Sequence, residues 1–294
     1  MQFKFPSAFE MADYSSIEAQ NKYLQLSKID LIIMPISAFL GAFSFLSDNY
    51  KIFFSVLAAI LIAISIIIKF IIRIRQYEKI WFGCRAVAES IKTISWKYMM
   101  SADPFTSSIE SSKKELISSL QNILTSNKSI ISHMLITNES NQSIPDTMTN
   151  VKLLDLNKRK SLYIENRVSN QLEWYQKKAE NNKTLEERWF YCTIFLQVVA
   201  LTLAIIFANN PTIPLNLTGF FVTLSTTTLA WIKLKQYQEL SQAYSVTAAE
   251  ISLILQKSEF INSDETLSNY VADAENAFSR EHTLWIARRD HLKN

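Results

Sequence analysis

The stretch WFYCTIFLQVVALTLAIIFANNPTIPLNLTGFFVTLSTTTLAWI, residues 189–232, carries no charged side chain. It is long enough for two bilayer crossings at roughly 20 residues each, and Asn209, Asn210, Pro211 and Pro214 form the stop between them. A second apolar region lies earlier, uncharged from Leu31 to Ser47 and again from Ile52 to Ile68. Ile52, Phe53, Phe54, Val56, Leu57, Ile60, Leu61, Ile62, Ile64, Ile66, Ile67 and Ile68 favour insertion by roughly 0.3–0.6 kcal/mol each. Soluble core helices rarely run so long or so rich in Ile. The whole-chain averages, 48% hydrophobic and 19% charged, hide this concentration. The pattern predicts an all-α integral membrane protein with four transmembrane helices in two hairpins. The spans fall at about 29–47 and 52–72, and at about 189–208 and 215–232, with long helical cytoplasmic extensions.

Charge orients the hairpins. The two turns hold one basic residue, Lys51, beside Asp48. The opposite flanks hold Lys22 and Lys28; Lys69, Arg73, Arg75 and Lys79; Lys177, Lys178, Lys183 and Arg188; and Lys233 and Lys235. Short-loop bias of this kind places the basic side in the cytoplasm, so both termini and the central segment are expected there. No short apolar segment precedes a small-residue cleavage site, and the first span is expected to serve as the insertion signal. Cys84 and Cys192, the only cysteines, fit neither a disulfide framework nor a zinc motif. The net charge of +3 gives no reason to expect a nucleic-acid partner.

Each hairpin ends in the same words: Arg73-Ile74-Arg75-Gln76-Tyr77 and Lys233-Leu234-Lys235-Gln236-Tyr237. Further on, Ala88-Glu89 corresponds to Ala249-Glu250 after a one-residue slip. The recurrence points to a duplicated unit. With no Gly or Pro at either exit, both outgoing helices are expected to continue unbroken, the first to about Met100 and the second to about Phe260. Asp103-Pro104 stops the first. Ser107, with Glu110 three residues on, predicts an N-cap for a helix to about Leu124 or Leu135. Residues 137–150 read as a linker, a helix from about Leu153 leads into the third span, and Asn262-Ser263-Asp264 caps a last helix to about Arg289.

Three of these helices carry a stripe at 4-3-4 spacing, which puts four side chains on one face. They are Arg85, Glu89, Lys92 and Trp96; Arg167, Gln171, Trp174 and Lys178; and Phe278, His282, Trp285 and Arg289. A charged stripe is ordinarily a solvated face. The tryptophans favour a seam between packed helices instead.

The segment Arg85-Ala86-Val87-Ala88-Glu89-Ser90-Ile91-Lys92-Thr93-Ile94-Ser95-Trp96, closed by Ala102-Asp103-Pro104-Phe105, resembles the N-terminal type of unit in the SLATT membrane proteins. The segment Arg167 to Ala179, with Glu281-His282 and Trp285, resembles the C-terminal type. Together they cover nearly the whole chain, as units at 1–136 and 151–294. The resemblance implies two-helix effectors of bacterial conflict or antiphage systems in the inner membrane. Such effectors are often paired with nucleotide-signal synthases or sensors and are proposed to form pores. It brings no catalytic residues.

Enzymatic chemistry is not expected. Gly41, Gly83 and Gly219 form no phosphate loop, and His133, His282 and His291 show no metal-ligand spacing. No nucleophile elbow appears, and no cofactor is expected. In the spans, Ser37, Ala38, Gly41, Ala42 and Ser44, and Ala200, Ala204, Ala208 and Gly219, suit close helix packing. Thr193, Gln197, Ser225 and Thr228 are the candidates for a polar seam or pore lining; a mid-span amide must find a partner or water, and for Gln197 an ordinary interhelical hydrogen bond is the other reading. No span interior carries a charge, which disfavours coupled transport. The sequence therefore predicts a lipid-embedded homo-oligomer that forms a pore or channel and answers to a cytoplasmic partner. The alternative is a membrane-anchored helical scaffold without conduction.

Overall fold

The computed structural model describes residues 3–43, 48–134, 144–213 and 215–291, with the side chains of 48–49 and 280–291 outside that description. All elements among the described residues are helical. They are α1 Ser7–Phe43, α2 Asp48–Arg75, α3 Tyr77–Met99, α4 Ile109–Ser126, α5 Lys128–Ile131, α6 Asp146–Lys152, α7 Leu156–Tyr163, α8 Asn170–Asn209, α9 Thr218–Lys235, α10 Tyr237–Lys257 and α11 Asp264–His291. A π-helical turn, Ile164–Ser169, joins α7 to α8, and a 3₁₀ turn, Ser258–Phe260, follows α10.

The expectation of unbroken exits is corrected. Gln76 and Gln236 stand in the left-handed region, at φ 48° and φ 50°. Each ends one helix, the Gln76 amide donating to Ile72 at 3.2 Å and the Gln236 amide to Ile232 at 2.9 Å. A non-glycine residue costs about 1–2 kcal/mol there. The same sequence words thus take the same strained backbone twice, at matching places in the two halves.

Other boundaries also shift. The N-cap of α4 is Ser108, which accepts from the Ser111 amide, not Ser107. Ser112 decides this register: it is buried, and its hydroxyl reaches the Phe105 and Ser107 carbonyls at 3.1 and 3.0 Å. The helix expected from Leu153 begins at Leu156, because Asp155 caps it through the Lys158 amide. Part of the expected linker is helical, as α6. At α11 the expected cap holds, with Ser263 Oγ accepting from the Thr266 amide at 3.2 Å. The turn at Ser47 and residues 137–143 lie outside the described residues.

The chain forms two compact units: residues 1–20, 78–179 and 242–294, and residues 21–77 and 180–241. The first has an ordinary apolar core. Val87, Ile91, Trp96 and Met99 of α3 pack with Leu116 of α4, Met148 of α6, Tyr163, Ile251 of α10, and Leu267 and Val271 of α11. Trp96 is covered by Phe3 and Tyr163, with ring centroids at 5.2 and 5.6 Å.

The second unit is inverted. Most of its buried side chains are small or hydroxylated, such as Ser37, Ala58, Ser65, Thr193, Ala200, Ser225 and Thr228, although Ile33, Ile68 and Leu196 are buried as well. Its exposed side chains are large and apolar, such as Ile52 at 77%, Ile67, Phe195 and Leu201. A water-soluble domain buries the second set and exposes the first. Helices in lipid pack through small and hydroxyl residues, which is the arrangement here. Three described helical stretches are long and apolar enough to cross a membrane, within Ser7–Phe43, Tyr50–Met99 and Leu156–Asn209. The stretch holding α9 does not meet that standard. Its run of Ser225, Thr226, Thr227 and Thr228 and its terminal Lys233 and Lys235 lower its hydropathy.

Candidate functional site

The first unit is organised around one buried carboxylate. Glu275 of α11, fully buried, accepts four hydrogen bonds: from Thr93 Oγ1 at 2.8 Å, Tyr163 Oη at 3.0 Å, and Arg167 Nε and Nη2 at 2.9 and 2.8 Å. Arg167 is 2% exposed, and its guanidinium lies over the Phe278 ring at 4.7 Å. Arg167 and Val168, both buried, lie in the π-helical turn. Such turns recur at functional positions. Burial, followed by the Glu275 charge, holds the Tyr163 hydroxyl well above its ordinary pKa. Burial works against the Arg167 charge, and Glu275 overcomes it.

The cluster ties both halves of the chain together, through Thr93 of α3 on one side and Tyr163, Arg167 and Glu275 on the other. Its neighbours hold the α3–α4 connection. Lys152 Nζ donates to the Phe105 carbonyl at 2.6 Å and to Ser101 Oγ at 3.0 Å. Arg159 donates to the Met100 carbonyl at 2.7 Å and pairs with Asp264. The Asp103 amide donates to Ser268 Oγ at 3.0 Å. The Ala102-Asp103-Pro104-Phe105 motif is therefore a docking loop, with Ala102 and Phe105 fully buried.

The 4-3-4 stripes divide. In the first, Arg85 pairs with Glu89 at 2.8 Å and with Asp13 of α1 at 3.2 Å. Lys92 is half-buried, its pKa lowered by desolvation, with Glu89, Arg167, Arg85 and Glu275 as its charged surroundings. Trp96 is core. In the second, Arg167 is core, Gln171 is half-buried, and Trp174 is partly exposed against Tyr244 of α10 at 5.4 Å. Lys178 lies over the Trp174 ring at 5.7 Å. In the third, Phe278 is core, while the side chains of His282, Trp285 and Arg289 lie outside the described residues.

Sequence reasoning missed Glu275, Tyr163 and Thr93. The signal for Glu275 was present: it sits among Val271, Ala274 and Phe278 at helical spacing, a charge on an apolar stripe.

In the second unit, Thr193 and Thr228 meet each other, Oγ1 to Oγ1 at 2.7 Å, and both are buried. Ser225 donates to the Val222 carbonyl at 2.8 Å. Gln197 is not brought to them and is exposed. In the other hairpin, Lys69 Nζ bridges Asp30 at 2.8 Å and Ser65 at 2.7 Å, and Ser65 also bonds Asp30. Trp189 and Trp231 pack edge to face at 6.5 Å. Aromatics at a span boundary match a membrane interface. Among the described residues, no group of three His, Cys, Asp or Glu is placed to hold a metal ion.

These features define a helical membrane protein in which paired apolar helices are joined to a large polar helical unit. The profile described as SMODS and SLOG-associating 2TM effector domain 3 matches residues 6–160, and that of effector domain 1 matches residues 163–285. The first match alone covers more than half of the chain, which belongs to the SLATT family as a tandem pair of two-transmembrane effector domains. Such domains are membrane effectors associated with conflict and defence systems. No curated protein and no solved structure matches the chain.

Proposed function

We propose that the chain is an oligomeric, non-enzymatic effector that forms a pore or channel in the bacterial inner membrane and is gated from the cytoplasm. All four apolar helices span, α9 included, with both termini inside. The inverted second unit, hydroxyls within and large apolar side chains without, is the observation that carries this reading. Four spans are too few to enclose an aqueous path, so several copies are needed. Helices α1 and α8 each contribute residues to both units, which gives a cytoplasmic signal a covalent route to the spans. That signal comes from a protein sensor or a nucleotide product. Nucleic acid plays no part.

Proteoliposomes containing the full chain are expected to leak small ions, with the leak rising on addition of the activating nucleotide or partner. Sealed vesicles under every such condition, together with unchanged membrane potential in overexpressing cells, would contradict the reading.

A scaffold without conduction is the second reading. Val246, Leu253 and Phe260 favour it, because they recur every seven residues and are 63%, 63% and 76% exposed. A scaffold would recruit partners through that stripe and leave vesicles sealed.

A further inference from the structure

Gln197 sits where a lone amide is costly. It lies eight residues past Trp189 and twelve before Asn209 on α8. At 1.5 Å per residue that is about 12 Å and about 18 Å from the ends of the apolar run, near mid-bilayer. The side chain is exposed and makes no hydrogen bond among the described residues. The nearby hydroxyls do not share this problem. Thr193, Thr202, Thr223, Thr226 and Thr227 all donate to the carbonyl four residues back. A glutamine amide offers two donors and an acceptor, and lipid tails satisfy none of them.

The residues around it have a regular spacing. Phe190, Ile194, Gln197, Leu201, Ala204 and Ala208 recur at 4-3-4-3-4, the 3.5-residue period of a left-handed coiled coil. None of the six is buried. A single polar residue in such a seam fixes register and copy number.

We propose that this face of α8 is the contact between copies of the chain, with Gln197 amides hydrogen-bonded to one another around the symmetry axis. A second copy is favoured because an amide is both donor and acceptor. Identical chains place their amides at the same depth, and a closed ring satisfies each through the next. The inference rests on the membrane and oligomer reading above.

The test uses the full chain in mild detergent. Particle mass is measured for wild type, Gln197→Leu and Gln197→Asn, with circular dichroism as the folding check. Gln197→Leu is expected to weaken association by about tenfold or more and shift the particle toward monomer, while Gln197→Asn retains the wild-type mass. In a Cys192→Ser background, Gln197→Cys is expected to cross-link between chains. Phe195→Cys, also exposed but on the opposite side of the helix, is not. A wild-type oligomer with unchanged mass in Gln197→Leu and no cross-link at 197 would overturn this seam and leave the oligomer reading standing. A wild-type monomer would overturn both.

Discussion

Replacing Glu275 with Ala removes the acceptor of four hydrogen bonds, all 2.8–3.0 Å long, and leaves the 2%-exposed Arg167 without its counter-charge. Breaking a buried pair from one side costs about 3–5 kcal/mol, because the surviving charge stays desolvated. For a unit of this size each kcal/mol lowers the unfolding midpoint by about 2–4 °C, so a fall of about 6–20 °C is expected. Glu275→Gln keeps the shape but loses the charge, and should fall about half as far. The double variant Arg167→Met, Glu275→Leu should recover most of the loss, since no charge remains inside. Thermal unfolding of the solubilised full chain, read by tryptophan fluorescence, measures all three, because Trp96 packs against Tyr163 of the cluster. A shift under about 2 °C for Glu275→Ala, or a double variant as unstable as the summed singles, would refute the reasoning.

Gln76→Gly and Gln236→Gly should each stabilise the fold by about 0.5–1 kcal/mol, since glycine relieves the left-handed strain at some entropic cost, while Val at either position should destabilise. Midpoints that fall alike for Gly and Val would place both glutamines outside that backbone region. Burial pushes the Cys84 thiol up to about 11. At pH 8 roughly one thiol in a thousand is then ionised, so a Cys192→Ser chain should take up maleimide only on unfolding. Rapid labelling of the native chain would contradict the burial. Lys152 is lowered from 10.5 to about 8, by burial first and the Arg159 charge second. Between those values the unfolded chain binds more protons, so stability rises with pH from about 8 to 10.5 and the full penalty stands below 8. Lys152→Met should remove much of that rise; an undiminished rise would place its source elsewhere.

Much of the fold was legible because its strongest signals are local. The uncharged run from Trp189 to Ile232, and the stops at Asp103-Pro104 and Asn262 to Asp264, depend on residues close in sequence. The breaks at Gln76 and Gln236 were not legible, because left-handed breaks are usually marked by glycine and neither exit has one. The shift of the α4 cap from Ser107 to Ser108 depends on how the Ser112 hydroxyl reaches the Phe105 and Ser107 carbonyls, a turn geometry that the capping-box spacing does not encode. The candidate site was half legible. Arg167, Lys92, Trp96 and Phe278 stood out by spacing, but Glu275, the partner of Arg167, lies 108 positions beyond it. Thr193, Ser225, Thr228 and Gln197 were grouped by polarity alone. The structure separates them, because hydroxyls can bond their own helix and an amide here does not.

The oligomeric effector is tested most directly by the mass of the wild-type particle in lipid nanodiscs, measured by native mass spectrometry. The account predicts a single species at an integral multiple, greater than one, of 33.8 kDa. A particle of one chain at every concentration would contradict it.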